Sequence, residues 1–102
     1  MNEDRVLLVD DHTLVRAGLR VLVNGFSGFR VVAEAEDGRE AVRLARQIKP
    51  EIALLDIAMP RLNGLDAAAL IARESPDTQV IILSMHTAEN YVLEALRVGA
   101  GG

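Results

Sequence analysis

The sequence contains no cysteine, which excludes disulfide bonds and thiolate-bound metals within its 102 residues. No apolar run approaches the roughly 20 residues that a membrane-spanning helix needs, and residues 1–5 are too polar for a signal peptide. Acidic side chains outnumber basic ones, 15 to 11, and the net charge of −4 opposes binding to a nucleic-acid backbone. These absences predict a cytoplasmic domain without direct membrane or DNA contact.

Half of the residues are hydrophobic, which predicts one compact domain over residues 1–102. Four short apolar runs have the length of strands and cover residues 6–9, 31–35, 52–55 and 80–83. Three of them lack polar alternation, as expected for strands that helices cover on both faces. The second carries Glu34 between two alanines, which indicates an edge strand.

Segments with helical spacing separate the apolar runs, as at Ala41, Ala45 and Ile48. Asp37 and Gly38 precede the second helix, and prolines follow the second and third. The sequence therefore predicts strict β-α alternation and a doubly wound α/β domain with a parallel sheet. In such sheets ligands bind beyond the carboxyl ends of the strands, where the strand order reverses.

Three carboxylates follow predicted strands directly. Asp10 and Asp11 come after the first strand, and Asp56 comes after the third. Taken singly, each could cap a helix or begin a turn. Taken together, they would repel one another in a single site, and a divalent cation would remove that cost. Oxygen ligands favour Mg²⁺, with Mn²⁺ as a substitute.

Three motifs carry a family resemblance: VLLVDDH at 6–12, DIAMPRLNGLD at 56–66 and VIILSMH at 80–86. In this order and spacing they resemble the receiver domains of two-component response regulators, which have a flavodoxin-like fold. The opening VDDHTLVRAGL and the ending RVGAGG resemble the subfamily with a nitrate-response type of helix-turn-helix output domain. The resemblance covers the whole chain.

The resemblance implies that Asp56 takes a phosphoryl group from a sensor histidine kinase. It implies a Mg²⁺ site formed by Asp10, Asp11, Asp56 and the backbone carbonyl of Ala58. Ser84 corresponds to the family's hydroxyl switch, whereas Ala58 and His86 occupy positions that influence the lifetime of the phosphate. The expected role is a signalling switch that controls transcription through a separate DNA-binding domain, and not a turnover enzyme.

Other residues near these motifs have simpler interpretations. Met59, Pro60 and Gly64 are expected to shape the loop after Asp56. His12 is expected to be a polar residue of the first helical turn and not a metal ligand. We expect two further groups to be solvated, first Arg16 and Arg20 on one helix face, and second the acidic residues Glu34, Glu36 and Asp37.

The family pattern continues with a fifth strand, which delivers a lysine to the phosphate, and a fifth helix. Lys49 is the only lysine here and does not match that position. We therefore expect a C-terminally truncated receiver domain, whose exposed fourth strand would favour self-association.

Two alternative functions stay open at this point. One is a phosphorylation-independent interaction fragment. The other is a Mg²⁺-dependent phosphatase of the haloacid-dehalogenase type, which is disfavoured because Ala58 stands where such enzymes carry a second acid.

Overall fold

A computed structural model describes residues 3–56 and 64–83, which form alternating strands and helices. The elements are β1 (Asp4–Val9), α1 (Thr13–Gly25), β2 (Phe29–Ala35), α2 (Gly38–Ile48), β3 (Ile52–Asp56), α3 (Gly64–Glu74) and β4 (Gln79–Leu83). All four predicted strands are confirmed, each within two residues of its predicted start. None of the helices in the described ranges has the length and apolar content that crossing a membrane requires.

The four strands form one sheet in the order β2-β1-β3-β4, and every pair is parallel. The predicted doubly wound α/β class is therefore confirmed, and β2 lies at an edge as predicted. From β1 the chain first passes to one side, to β2, and then crosses to β3 on the other side. The strand order consequently reverses between β1 and β3, which is where sheets of this type bind ligands.

Alternate residues of β1 serve two separate cores, as its pleat requires. Leu7 and Val9 are buried against α2 and α3, whereas Val6 and Leu8 are buried in a second cluster with Val23 of α1. Each cluster also takes alternate residues of β3. Because both faces of β1 and β3 are covered, residues 6–9 of β1 and 52–55 of β3 form unbroken apolar runs.

A polar clamp at the amino-terminal end of the sheet ties β1 to the end of α2. The Arg5 guanidinium donates to the carbonyls of Ile48 and Lys49, at 3.2 and 2.8 Å, and to both carboxylate oxygens of Glu51. Lys49 adopts a left-handed conformation, with φ 52°, and ends the helix. The positive charge of Arg5 thus lies at the carboxyl end of α2, where it interacts favourably with the negative end of the helix dipole.

A second polar contact, fully buried, joins the turn after α3 to the start of β3. Thr78 Oγ1 donates to the Pro50 carbonyl at 2.7 Å and lies 2.6 Å from Ser75 Oγ. Because the Thr78 proton is used on Pro50, Ser75 is the donor to Thr78. Both side chains are buried, so water cannot replace either hydrogen bond if one of the hydroxyls is removed.

We predict that Glu51→Gln lowers the thermal unfolding midpoint at pH 7, with a deficit that closes in acid. The hydrogen bond from Arg5 holds the pKa of Glu51 below its ordinary value of 4.5. A depressed folded-state pKa stabilises the fold above pH 4.5, and this contribution is lost as the pH falls through the folded-state pKa. Thermal unfolding at pH 7, 5, 4 and 3 measures the deficit. Glu74→Gln, which removes an exposed pair with Arg46, is the control. A deficit independent of pH would contradict the assignment.

We predict that Thr78→Val lowers the free energy of unfolding by about 1–3 kcal/mol, because it leaves the Pro50 carbonyl and the Ser75 hydroxyl without their partner. Urea denaturation measures the change. Thr78→Ser retains the hydroxyl and should keep most of the stability. Equal loss in the two variants would show that the methyl group, and not the hydrogen bonds, carries the effect.

Candidate functional site

Asp10 follows the last residue of β1 and is held by its neighbours on three sides. Its N–H donates to the Ala35 carbonyl at 3.1 Å, and its own carbonyl accepts from Arg16 Nη1 at 2.8 Å. Its carboxylate oxygen Oδ1 accepts from the His12 N–H at 2.7 Å. Only 2% of Asp10 is exposed. The carboxylate thus shapes the turn into α1 without capping the helix, whose N-cap is His12, and lies at the carboxyl end of the sheet.

Asp11 and His12 complete a compact group with Asp10. One potential ligand atom from each lies within 4.8 Å of the others, the spacing of a shared cation site. Asp11 Oδ1 is a buried oxygen with no hydrogen-bond donor among the described residues, although His12 Nδ1 lies 3.0 Å away. A buried carboxylate oxygen without a donor is costly, and a cation would supply the missing partner. The carboxylates therefore fit a hard divalent ion.

His12 occupies the N-cap position of α1, and its side chain makes no capping hydrogen bond. Its ring is half exposed and lies beside both carboxylates, with Nδ1 3.5 Å from Asp10 Oδ1. His12 therefore lies just before the first helical turn and not within it as expected. The ring also lies closer to the acids than a purely solvated residue would.

Asp56 reaches the same edge of the sheet through strand register. Val9 pairs with Leu55, and Asp56 is the last residue of β3. The next positions along the two strands, Asp10 and Asp56, therefore stand side by side, with backbones about 5 Å apart at the usual strand spacing. Of Asp56 the structure describes the backbone alone. On its other side this backbone pairs with Leu83, the last residue of β4.

Several predicted site residues lie outside the described ranges, namely Ala58, Met59, Pro60, Ser84 and His86. Their roles stay predictions. Gly64 is described, and it is the first residue of α3 and not part of the preceding loop.

Three acidic residues at the end of β2 and just after it, Glu34, Glu36 and Asp37, do not form the solvated group that the sequence predicted. Glu34 lies within β2 and pairs with Arg16 and Arg20, each at 3.0 Å. Asp37 caps α2 by accepting the Glu40 N–H at 2.9 Å. Glu36 alone is well exposed. None of the three joins the cation group found among the described residues.

Arg16 contacts the backbone of Asp10, which the sequence did not predict. Only 13% of its side chain is exposed, so the expectation of a solvated face is wrong for this residue. The expectation fits Arg20, which is about half exposed. Helical spacing placed the two arginines on one face, but it gave no sign that the first contacts the carbonyl of Asp10.

A family model for the response regulator receiver domain matches residues 6–102. The chain belongs to this family. It is the receiver domain of a two-component response regulator, and the membership favours neither the phosphatase nor the phosphorylation-independent alternative. The predicted resemblance is confirmed.

Three known proteins are similar to this chain in sequence or in structure. The chain is 43% identical to a transcriptional regulatory protein of Bacillus subtilis, YxjL, over 100% of this chain and 48% of that protein. A LuxR-family two-component response regulator from Aurantimonas has a structure with a TM-score of 0.78 at 37% identity, covering 96% of this chain and 70% of the other. The signal receiver domain assigned to NarL of Mycobacterium tuberculosis has a TM-score of 0.78 at 34% identity, covering 97% and 80%.

The receiver domain spans about half the length of the curated relatives that it matches.

Proposed function

We propose that Asp56 of this receiver domain accepts a phosphoryl group, with a divalent cation held by Asp10 and Asp11. The observation that carries the proposal is the parallel register of β1 and β3. Val9 pairs with Leu55, so Asp10 and Asp56 follow paired residues of neighbouring strands at the point where the strand order reverses. Family membership supplies the reaction class, and the register supports the assignment to these residues.

The proposed transfer needs little from the protein beyond position and charge. A carboxylate oxygen of Asp56 forms a bond to phosphorus while the bond between phosphorus and the donor, a histidine nitrogen of a sensor kinase, breaks. The donor keeps that electron pair. The cation, Mg²⁺ or Mn²⁺, would neutralise the charge on the phosphoryl oxygens. Asp10 and Asp11 would hold it, and the grouping of their carboxylate oxygens with His12 within 4.8 Å supports their fit to this ion.

The remaining site residues are assigned by their positions in the motifs. The Ala58 carbonyl would complete the cation ligands, and the Ser84 hydroxyl would bond a phosphoryl oxygen. Ala58 and His86 would influence the rate at which water removes the phosphate. Leu83, the last residue of β4, pairs with Asp56, which supports a place for Ser84 near the phosphate.

The proposed partners follow from the relatives. A sensor histidine kinase would donate the phosphoryl group. The matched transcriptional regulatory protein is about twice as long as this chain, so we propose that an additional domain binds DNA. Phosphorylation would then act as a switch that shifts the population of active regulator, and not as a turnover reaction.

We predict that incubation with Mg²⁺ and acetyl phosphate adds one phosphoryl group to the wild-type chain and none to Asp56→Asn. The reason is that the amide cannot form an acyl phosphate. Intact mass measures the addition, and loss of the added mass on treatment with hydroxylamine identifies an acyl phosphate. Asp77→Asn is the matched control, since Asp77 is an exposed residue in the turn after α3. Equal labelling of Asp56→Asn and wild type, or no labelling of wild type, would contradict the proposal.

A further inference from the structure

The Arg16 guanidinium joins the ends of β1 and β2. Nη1 donates to the Asp10 carbonyl at 2.8 Å, and Nε donates to Glu34 Oε1 at 3.0 Å. Nη2 lies 3.6 Å from Glu36 Oε1. One planar group thus donates hydrogen bonds to two oxygens in fixed directions, an arrangement that the single ammonium of a lysine does not reproduce.

Glu34 reaches Arg16 because β2 contains a bulge. Val6 pairs with Val31, but the next residue of β1, Leu7, pairs with Ala33, so β2 has one extra residue. Before the bulge Val31 packs in the cluster on the α1 side, and after it Ala33 packs on the opposite side. Glu34 therefore lies on the α1 side. Without the extra residue, strand alternation would turn it towards α2 and α3.

The guanidinium of Arg16 pairs with the Glu34 carboxylate at 3.0 Å and lies 3.6 Å from that of Glu36. Glu34 uses one oxygen for Arg16 and the other for Arg20, one helical turn further along. At Asp10, Arg16 contacts the neutral backbone carbonyl. Charge-assisted hydrogen bonds of this kind are short and directional. The contact thus sets the orientation of the peptide that links Asp10 to Asp11.

We infer that Arg16 is a positioning residue for the cation site, an inference that rests on the proposed function. Ala35 holds the Asp10 N–H and Arg16 holds its carbonyl, so both polar groups of this backbone are fixed from β2 and α1. The direction in which the Asp11 carboxylate leaves the chain follows from that peptide. The bulge, Glu34 and Arg16 together preorganise the acid pair.

Charge and position make opposite predictions for the loss of Arg16. If Arg16 acted through its positive charge alone, its removal would strengthen cation binding, since like charge near the site opposes a cation. If it positions the acids, its removal weakens binding. Changes to residues that orient metal ligands typically cost about 10–100-fold in affinity.

The experiment measures Mn²⁺ affinity from the free-ion signal in electron paramagnetic resonance, using the whole chain. We expect Arg16→Ala to weaken affinity by roughly tenfold or more. Arg20→Ala is the matched control. Arg20 lies on the same helix as Arg16 and hydrogen-bonds the same glutamate, Glu34. Its removal therefore takes away an equal charge and leaves the hydrogen bond from Arg16 to the Asp10 carbonyl in place. The affinity of Arg20→Ala should stay within about twofold of wild type, since exposed charges are screened. Arg16→Lys keeps the positive charge but lacks the planar set of guanidinium donors, so its Mn²⁺ affinity should also be below that of wild type.

Circular dichroism identifies a temperature at which all variants are folded, and binding is measured there. Affinity of Arg16→Ala equal to or above that of Arg20→Ala would overturn the inference. Full affinity in Arg16→Lys would do the same, because the directed hydrogen bonds of the guanidinium would then not be needed. Asp11→Asn separates this failure from failure of the proposed site. If Asp11→Asn binds Mn²⁺ as tightly as wild type, the cation site itself is wrong, and the role of Arg16 falls with it.

Discussion

Parallel pairing between β1 and β3 brings the carboxyl ends of two buried strands to one edge of the sheet. The register Val9 with Leu55 makes Asp10 and Asp56 neighbours, although 45 residues separate them along the chain. Both strands are covered on both faces, so a slip by one residue would move every core side chain to the wrong side. The hydrophobic core therefore fixes the register that brings the backbones of Asp10 and Asp56 to the same edge of the sheet.

A second layer of structure holds the acid pair from outside the central strands. The extra residue in β2 turns Glu34 towards α1, where it anchors Arg16, and Arg16 holds the Asp10 carbonyl. The geometry of the acids thus depends on an edge strand and a helix face as well as on the central pair. At the opposite end of the sheet, the ion pair between Arg5 and Glu51 joins the amino-terminal ends of β1 and β3, away from the acid pair.

Much of the fold could be predicted from the sequence, because apolar runs of strand length report burial directly. Asp10, Asp11 and Asp56 could be placed at one edge because parallel strands end together. The position of Arg16 could not be predicted, since its contact with Glu34 depends on the extra residue of β2 at Val32. That extra residue leaves no mark in the apolar pattern. Glu34 looked solvated for the same reason. The roles of Ser84 and His86 come from motif position alone.

The most direct test of the central claim is paramagnetic broadening of backbone amide signals by substoichiometric Mn²⁺, which reports distance from the bound ion. Broadening should centre on residues 10–12 and on Asp56, and the signals of Arg5 and Glu51 at the other end of the sheet should stay sharp. Broadening that affects residues 10–12 while sparing Asp56, or that spreads evenly over the acidic surface, would contradict a single cation site shared by the two strands.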